Sequence, residues 1–120
     1  MRIAQRDDWK TEPMPCASTN ITLEKVYSQQ EFERITAGVI PEHMENKWFI
    51  FYEAPWLYLH RSWTGLCIFQ VRFEVVGESV KIAEVQVNRD PAQYSNTDYK
   101  YDVSMLEMLL DYLVNNRLRY

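Results

Sequence analysis

With 120 residues, 47% of them hydrophobic and 25% charged, the chain reads as one globular domain that needs no metal or disulfide to fold. A net charge of −4, with lysine and arginine scattered along the chain, excludes the broad electrostatic footprint of a duplex-binding protein. The opening Met1-to-Asp8 segment lacks an apolar core of signal-peptide length, and no stretch reaches the ~20 apolar residues of a membrane span, so a cytoplasmic protein without a membrane partner is expected.

Residues 1–19 carry Pro13, Pro15 and a lone Trp9 and follow neither the helical nor the strand period. They read as an N-terminal arm, with Trp9 an anchor onto the domain or a partner, ahead of a single domain over 20–120. Of the two cysteines, Cys16 lies in the arm, while Cys67 falls inside a strand pattern as a free buried thiol. Ile21 to Val26 alternates weakly, as a short edge strand does. Ser28-Gln-Gln-Glu31 then forms a capping box, with Tyr27 and Phe32 at the staple positions. The helix it opens ends near Ala37, because Gly38 tolerates a left-handed backbone and Pro41 forbids a return to helix.

More than half of the aromatic residues fall between Trp48 and Phe73, in a run that alternates as successive strands do. Four strands are predicted, over 47–53, 56–63, 66–76 and 80–89. They are joined by the two-residue loops Ala54-Pro55, Thr64-Gly65 and Gly77-Glu78. Those loop lengths fix the register and sort the side chains into two faces. The first carries Phe49, Phe51, Tyr58, His60, Cys67, Phe69, Val71 and Phe73. The second carries Trp48, Leu57, Leu59, Arg61, Trp63, Ile68, Gln70 and Arg72, with Lys81 opposite Glu74. The apolar parity of the last strand switches after Ile82, which a β-bulge at Ile82-Ala83 would correct. Helices are expected on the first face. The second then needs a curl of the sheet, a ligand or a partner subunit, and a homodimer is expected.

Pro91 to Asp102 is polar, tyrosine-rich and aperiodic, a loop long enough to act as a lid. A second capping box, Ser104-Met-Leu-Glu107, opens the last helix. Its core stripe is Leu106, Leu109, Leu110, Leu113 and Leu118, its wet face runs from Glu107 to Arg119, and it ends near Leu118. The fold class is α+β, a four- to five-stranded antiparallel sheet backed by two helices.

The second face would gather Trp48, Arg61 and Trp63, with Gln70 and Arg72 one strand away. A guanidinium fork grips phosphate through paired hydrogen bonds and indoles stack on bases, so the cluster suits a small anionic nucleotide. The structural alternative stacks Arg61 between Trp48 and Trp63 merely to cover the sheet, and pairs Arg72 with Glu74 or Glu84. His60 shares its face with Tyr58 and Ser62, yet Ser62 is two residues along the same strand, roughly 7 Å away, too far for a serine–histidine nucleophile. His60 reads as a core histidine satisfied by Tyr58 or a backbone carbonyl, or as a ligand contact. His43 and His60 lack the spacing of a zinc motif, and there is no P-loop, GxGxxG or GxSxG, so no metal and no cofactor is expected.

The segments Lys47-Trp-Phe-Ile50, Trp56-Leu-Tyr58 and His60-Arg-Ser-Trp-Thr-Gly65 resemble the signature of a family of small bacterial and phage-type domains. Some of its members accompany ADP-ribosylglycohydrolases. The resemblance spans a quarter to a third of the chain. It implies a connection with ADP-ribose or a related nucleotide, favours Trp48, Arg61 and Trp63, and suggests a setting in anti-phage defence or counter-defence.

The leading expectation is therefore non-catalytic binding or sequestration of a small anionic nucleotide, of the ADP-ribose or cyclic-nucleotide type. Arg61 and Arg72 would hold phosphates, Trp48 and Trp63 would stack, and Tyr58, His60 and Gln70 would orient the ligand. Two alternatives stand beside it. One is a protein-interaction module of the immunity or inhibitor kind; the other is a hydrolase of an ADP-ribosyl or phosphodiester bond, with His60 and Glu53 as acid and base.

Overall fold

A computed structural model describes residues 3–43 and 45–115. Six strands and two helices follow a short 3-10 turn at Arg6–Asp8: β1 (Ser18–Ile21), β2 (Val26–Ser28), α1 (Gln29–Ala37), β3 (Trp48–Glu53), β4 (Trp56–Arg61), β5 (Cys67–Val76), β6 (Ser79–Asn88) and α2 (Tyr99–Val114). The fold is α+β, with one antiparallel sheet in the order β1-β6-β5-β4-β3. The weakly alternating segment near Ile21 resolves into two short strands. β1 pairs with the Val85–Asn88 end of β6 and β2 with its Ser79–Lys81 end, which brings the strand count to six.

Local signals set the first helix. Ser28 Oγ accepts the Glu31 amide proton at 3.1 Å and the Glu31 carboxylate accepts that of Ser28 at 2.9 Å, closing the predicted capping box. Gly38 then takes φ 66, and a Cβ there would stand 2.1 Å from the Ile50 carbonyl oxygen. That close approach lets Val39 and Ile50 exchange backbone hydrogen bonds of 2.9 and 3.0 Å, tying the chain after α1 to the outer edge of β3.

The predicted register holds in two hairpins. Glu53 pairs with Trp56 and Val76 with Ser79, so the Ala54-Pro55 and Gly77-Glu78 loops are as short as expected. The bulge at Ala83 is also present, since Phe73 pairs with Ile82 but Arg72 with Glu84. The β4–β5 connection differs. β4 ends at Arg61, and Leu59 pairs with Phe69 while His60 pairs with Cys67, leaving Ile68 as an extra residue.

This second bulge reverses the expected parity of β5 and corrects the assignment of faces. Phe69, Val71 and Phe73 join Ile50, Leu57 and Leu59, and the helices cover this set through Ile35, Leu106, Leu109, Leu110 and Leu113. The expected helix face, with Phe49, Phe51 and Tyr58, lies on the other side. The slip is driven by burial, since it gathers the most continuous apolar surface beneath the two helices.

The N-terminal arm covers part of that other face. Ala4 is buried against Phe49 and Phe51, and its amide donates to the Ala37 carbonyl at 2.9 Å. The Arg6 guanidinium lies 4.8 Å from the Phe51 ring centroid and 5.0 Å from that of Tyr58, and bonds Glu53 at 2.8 Å. The Trp9 indole N–H donates to the Ser62 carbonyl at 2.6 Å.

α2 begins earlier than predicted. Asp98 caps it, accepting amide protons from Lys100 at 2.9 Å and Tyr101 at 3.5 Å, so Ser104 lies inside the helix and the loop shortens to Pro91–Asp98. The predicted positions Leu118 and Arg119 lie outside the described residues. Among the described residues no helix is long and apolar enough to cross a membrane.

Candidate functional site

A cavity of about 560 Å³ opens on the helix side of the sheet, between the β4–β5 turn and the 91–98 loop. Arg61, Leu66 and Ile68 come from the strand ends, and Lys47, Trp63 and Thr64 flank them. Across from them stand Gln93, Tyr94, Ser95, Asn96 and Tyr101.

The backbone fixes Arg61 at the last position of β4. Its amide donates to the Leu66 carbonyl at 2.9 Å, and its carbonyl accepts from the Gly65 amide at 2.8 Å. The guanidinium carbon sits 4.7 Å from the centroid of Trp48, which is itself buried and stacked on Phe69. One side of the guanidinium is thus occupied by an indole, and Arg61 also lines the cavity. Lys47 adds a second positive charge, and among the described residues no carboxylate lines the space. Among the described residues neither cation forms an ion pair. Trp63 is 63% exposed at the cavity mouth.

The far wall is held by buried polar contacts as well as by the packing of Tyr94 against the core. Asp102 is fully buried in the first turn of α2. It pairs with Arg89 and accepts hydrogen bonds from the Tyr94 hydroxyl at 2.7 Å and the Asn96 amide at 2.9 Å. Burial and the Asp102 carboxylate together push the Tyr94 phenol above its ordinary range, so it stays a donor. The Asn88 amide donates to the Cys67 carbonyl at 2.8 Å and to the Gln93 oxygen at 2.9 Å, a contact that does not use the Gln93 amide protons.

A second cavity of about 430 Å³ lies on the opposite face, under the arm. Tyr58, His60, Cys67 and Gln70 line it from the sheet, and Arg6 and Pro13 from the arm. His60 is 1% exposed, and its Nδ1 is 2.8 Å from the Gly65 carbonyl oxygen. Burial lowers the His60 pKa, and nearby Arg6 pushes the same way. Burial also raises the Cys67 thiol to about 12, leaving it a poor nucleophile.

Of the seven predicted ligand residues, Arg61 and Trp63 share the first cavity and Trp48 underlies Arg61. Tyr58, His60 and Gln70 belong to the second, on the other side of the sheet. Arg72 bonds Glu84 at 3.3 Å on that same side, the structural alternative expected for it. The Ile68 bulge explains the separation, because it turns Gln70 and Arg72 away from Arg61. Lys47, Gln93, Asn96 and Tyr101 were not foreseen. The polar, tyrosine-rich run after Pro91 carried the only sequence signal for three of them.

Among the described residues, neither pairing considered for His60 is assembled. Ser62 Oγ donates to the Asn46 carbonyl and not to His60. His60 and Glu53 share a face, but their pairing partners Phe49 and Trp56 place them four rungs apart, about 13 Å along the sheet. Glu53 is instead hydrogen-bonded to Arg6, which holds its carboxyl below the usual range. Comparison of the chain with protein-family models, with curated proteins and with solved structures finds no match to any of the three.

Proposed function

We propose that the protein binds a small anionic nucleotide, without transforming it, in the cavity between the β4–β5 turn and the 91–98 loop. One observation carries this reading: Lys47 and Arg61 meet the aromatic side chains Trp63 and Tyr101 around about 560 Å³ with no carboxylate among them. That volume is within the ~300–1,000 Å³ typical of small-molecule sites. With one side stacked on Trp48, the Arg61 guanidinium keeps its edge for two parallel hydrogen bonds to a phosphate. Trp63 and Tyr101 supply flat surfaces for a base. A stacked base contributes about 1–3 kcal/mol, against at least ~4 kcal/mol for immobilising the ligand, so the two cations decide whether binding is measurable. The resemblance of the Lys47–Gly65 segments to domains that accompany ADP-ribosylglycohydrolases makes ADP-ribose the first ligand to try.

Calorimetry with ADP-ribose, cyclic ADP-ribose and cyclic nucleotides tests the reading. Saturable heat with at least one of them, lost in Arg61→Ala, supports it. Equal absence of heat across the panel, or heat unchanged by Arg61→Ala, overturns it.

A further inference from the structure

His60, which lines the second cavity under the arm, carries a polar atom that the fold itself leaves unused. A carbonyl oxygen only accepts hydrogen bonds, so the 2.8 Å contact with Gly65 places the neutral imidazole proton on Nδ1 of His60. Nε2 then carries a lone pair, and it has no hydrogen-bond partner although His60 is 1% exposed. Buried acceptors are rarely left unpaired, because the lost hydration is not returned by any protein contact.

We infer that this cavity is a second binding site, for a small molecule with an amide-type edge that donates an N–H to His60 Nε2. Gln70 and Tyr58 line the cavity with His60 and can both donate and accept, which suits the alternating N–H and C=O groups of a carboxamide or nucleobase. Of the charged groups beside them, Arg6 is paired with Glu53 and Glu12 belongs to the arm.

The arm controls access. Nε2 is sealed from water with the arm in place. The Gly65 carbonyl that fixes His60 also accepts the Glu12 amide at 2.8 Å, so arm and imidazole share one anchor. A ligand enters as the Pro13-to-Pro15 stretch lifts.

The test is nitrogen-15 NMR of the full chain with labelled histidine, titrated with adenine, uracil and nicotinamide near neutral pH. A saturable change of the His60 Nε2 resonance with at least one probe, accompanied by movement of the Trp9 indole N–H, is the expected result. Calorimetry of Gln70→Leu should show about tenfold weaker binding of that probe, the worth of one hydrogen bond. An Nε2 resonance that no probe moves, or that responds only to exchange with water, overturns the inference. So does a probe whose affinity is unchanged in Gln70→Leu. None of these outcomes touches the nucleotide cavity, which lies on the other face.

Discussion

The Arg61 guanidinium rests 4.7 Å from the Trp48 ring centroid while Arg61 also lines the cavity, so one buried indole orients the cation on which the proposed phosphate contact depends. Charge alone would not reproduce that arrangement. Arg61→Lys keeps the positive charge but loses both the planar stack and the two-pronged edge. Nucleotide affinity is expected to fall at least tenfold, with less than about 1 kcal/mol lost from folding, since a cation–π contact contributes about that much. Calorimetry beside urea denaturation separates the two effects.

The far wall depends on Asp102. Replacing it with Asn keeps the shape but leaves Arg89, 18% exposed, facing no charge. Removing one member of a buried pair costs about 3–5 kcal/mol, and Asp102→Asn should lose a figure near the low end because its amide oxygen still accepts. The urea midpoint should drop accordingly. Nucleotide binding should weaken as well, because Tyr94 and Asn96, which share Asp102 Oδ1, are then held by a neutral amide oxygen in place of a carboxylate.

Burial holds His60 below its ordinary value of 6.5, so beneath that pH the unfolded chain takes up a proton that the native chain refuses. The contribution of neutral His60 is complete above about 6.5 and is lost as pH falls toward and through the native pKa. The slope cannot exceed about 1.4 kcal/mol per pH unit for one proton. Titration of the His60 ring by NMR checks the sign directly. A midpoint at or above 6.5 would contradict it.

Gly38 combines φ 66 and ψ −160 with a contact that leaves no room for a Cβ, 2.1 Å from the Ile50 oxygen. Gly38→Ala should cost about 1–3 kcal/mol in backbone strain alone, and more because the Val39–Ile50 bridge must open. Loss of amide-exchange protection at Ile50 would locate the damage. Unchanged stability would mean that the chain after α1 is not seated on β3.

The parts of this fold that follow from neighbouring residues were legible in the sequence. Ser28 and Glu31 cap α1 within one turn, Gly38 stops it, two hairpin loops set their own registers, and the parity switch after Ile82 betrays the Ala83 bulge. The Ile68 bulge was not legible, because distant segments shape the turn before it. Lys47 accepts from the Ser62 amide, Glu12 donates to Gly65, and Trp9 donates to Ser62. α2 starts before the Ser104 box that the sequence singled out. Asp98 is used, and the turn it opens brings Asp102 to Arg89, a partner nine residues earlier than Asp98 and invisible to any local pattern. In the candidate site, Arg61 follows from strand parity, Trp63 lies in the turn beyond β4, and Gln93, Asn96 and Tyr101 come from a segment read as having no period.

The most direct measurement of the central claim is a proton–nitrogen NMR titration of the labelled chain with ADP-ribose. The account predicts saturable shifts at the Trp63 indole and at the Thr64, Ser95 and Asn96 amides, with the strands carrying Tyr58 and Gln70 unmoved. Shifts confined to Tyr58, His60 and Gln70, or a spectrum that does not change, would contradict it.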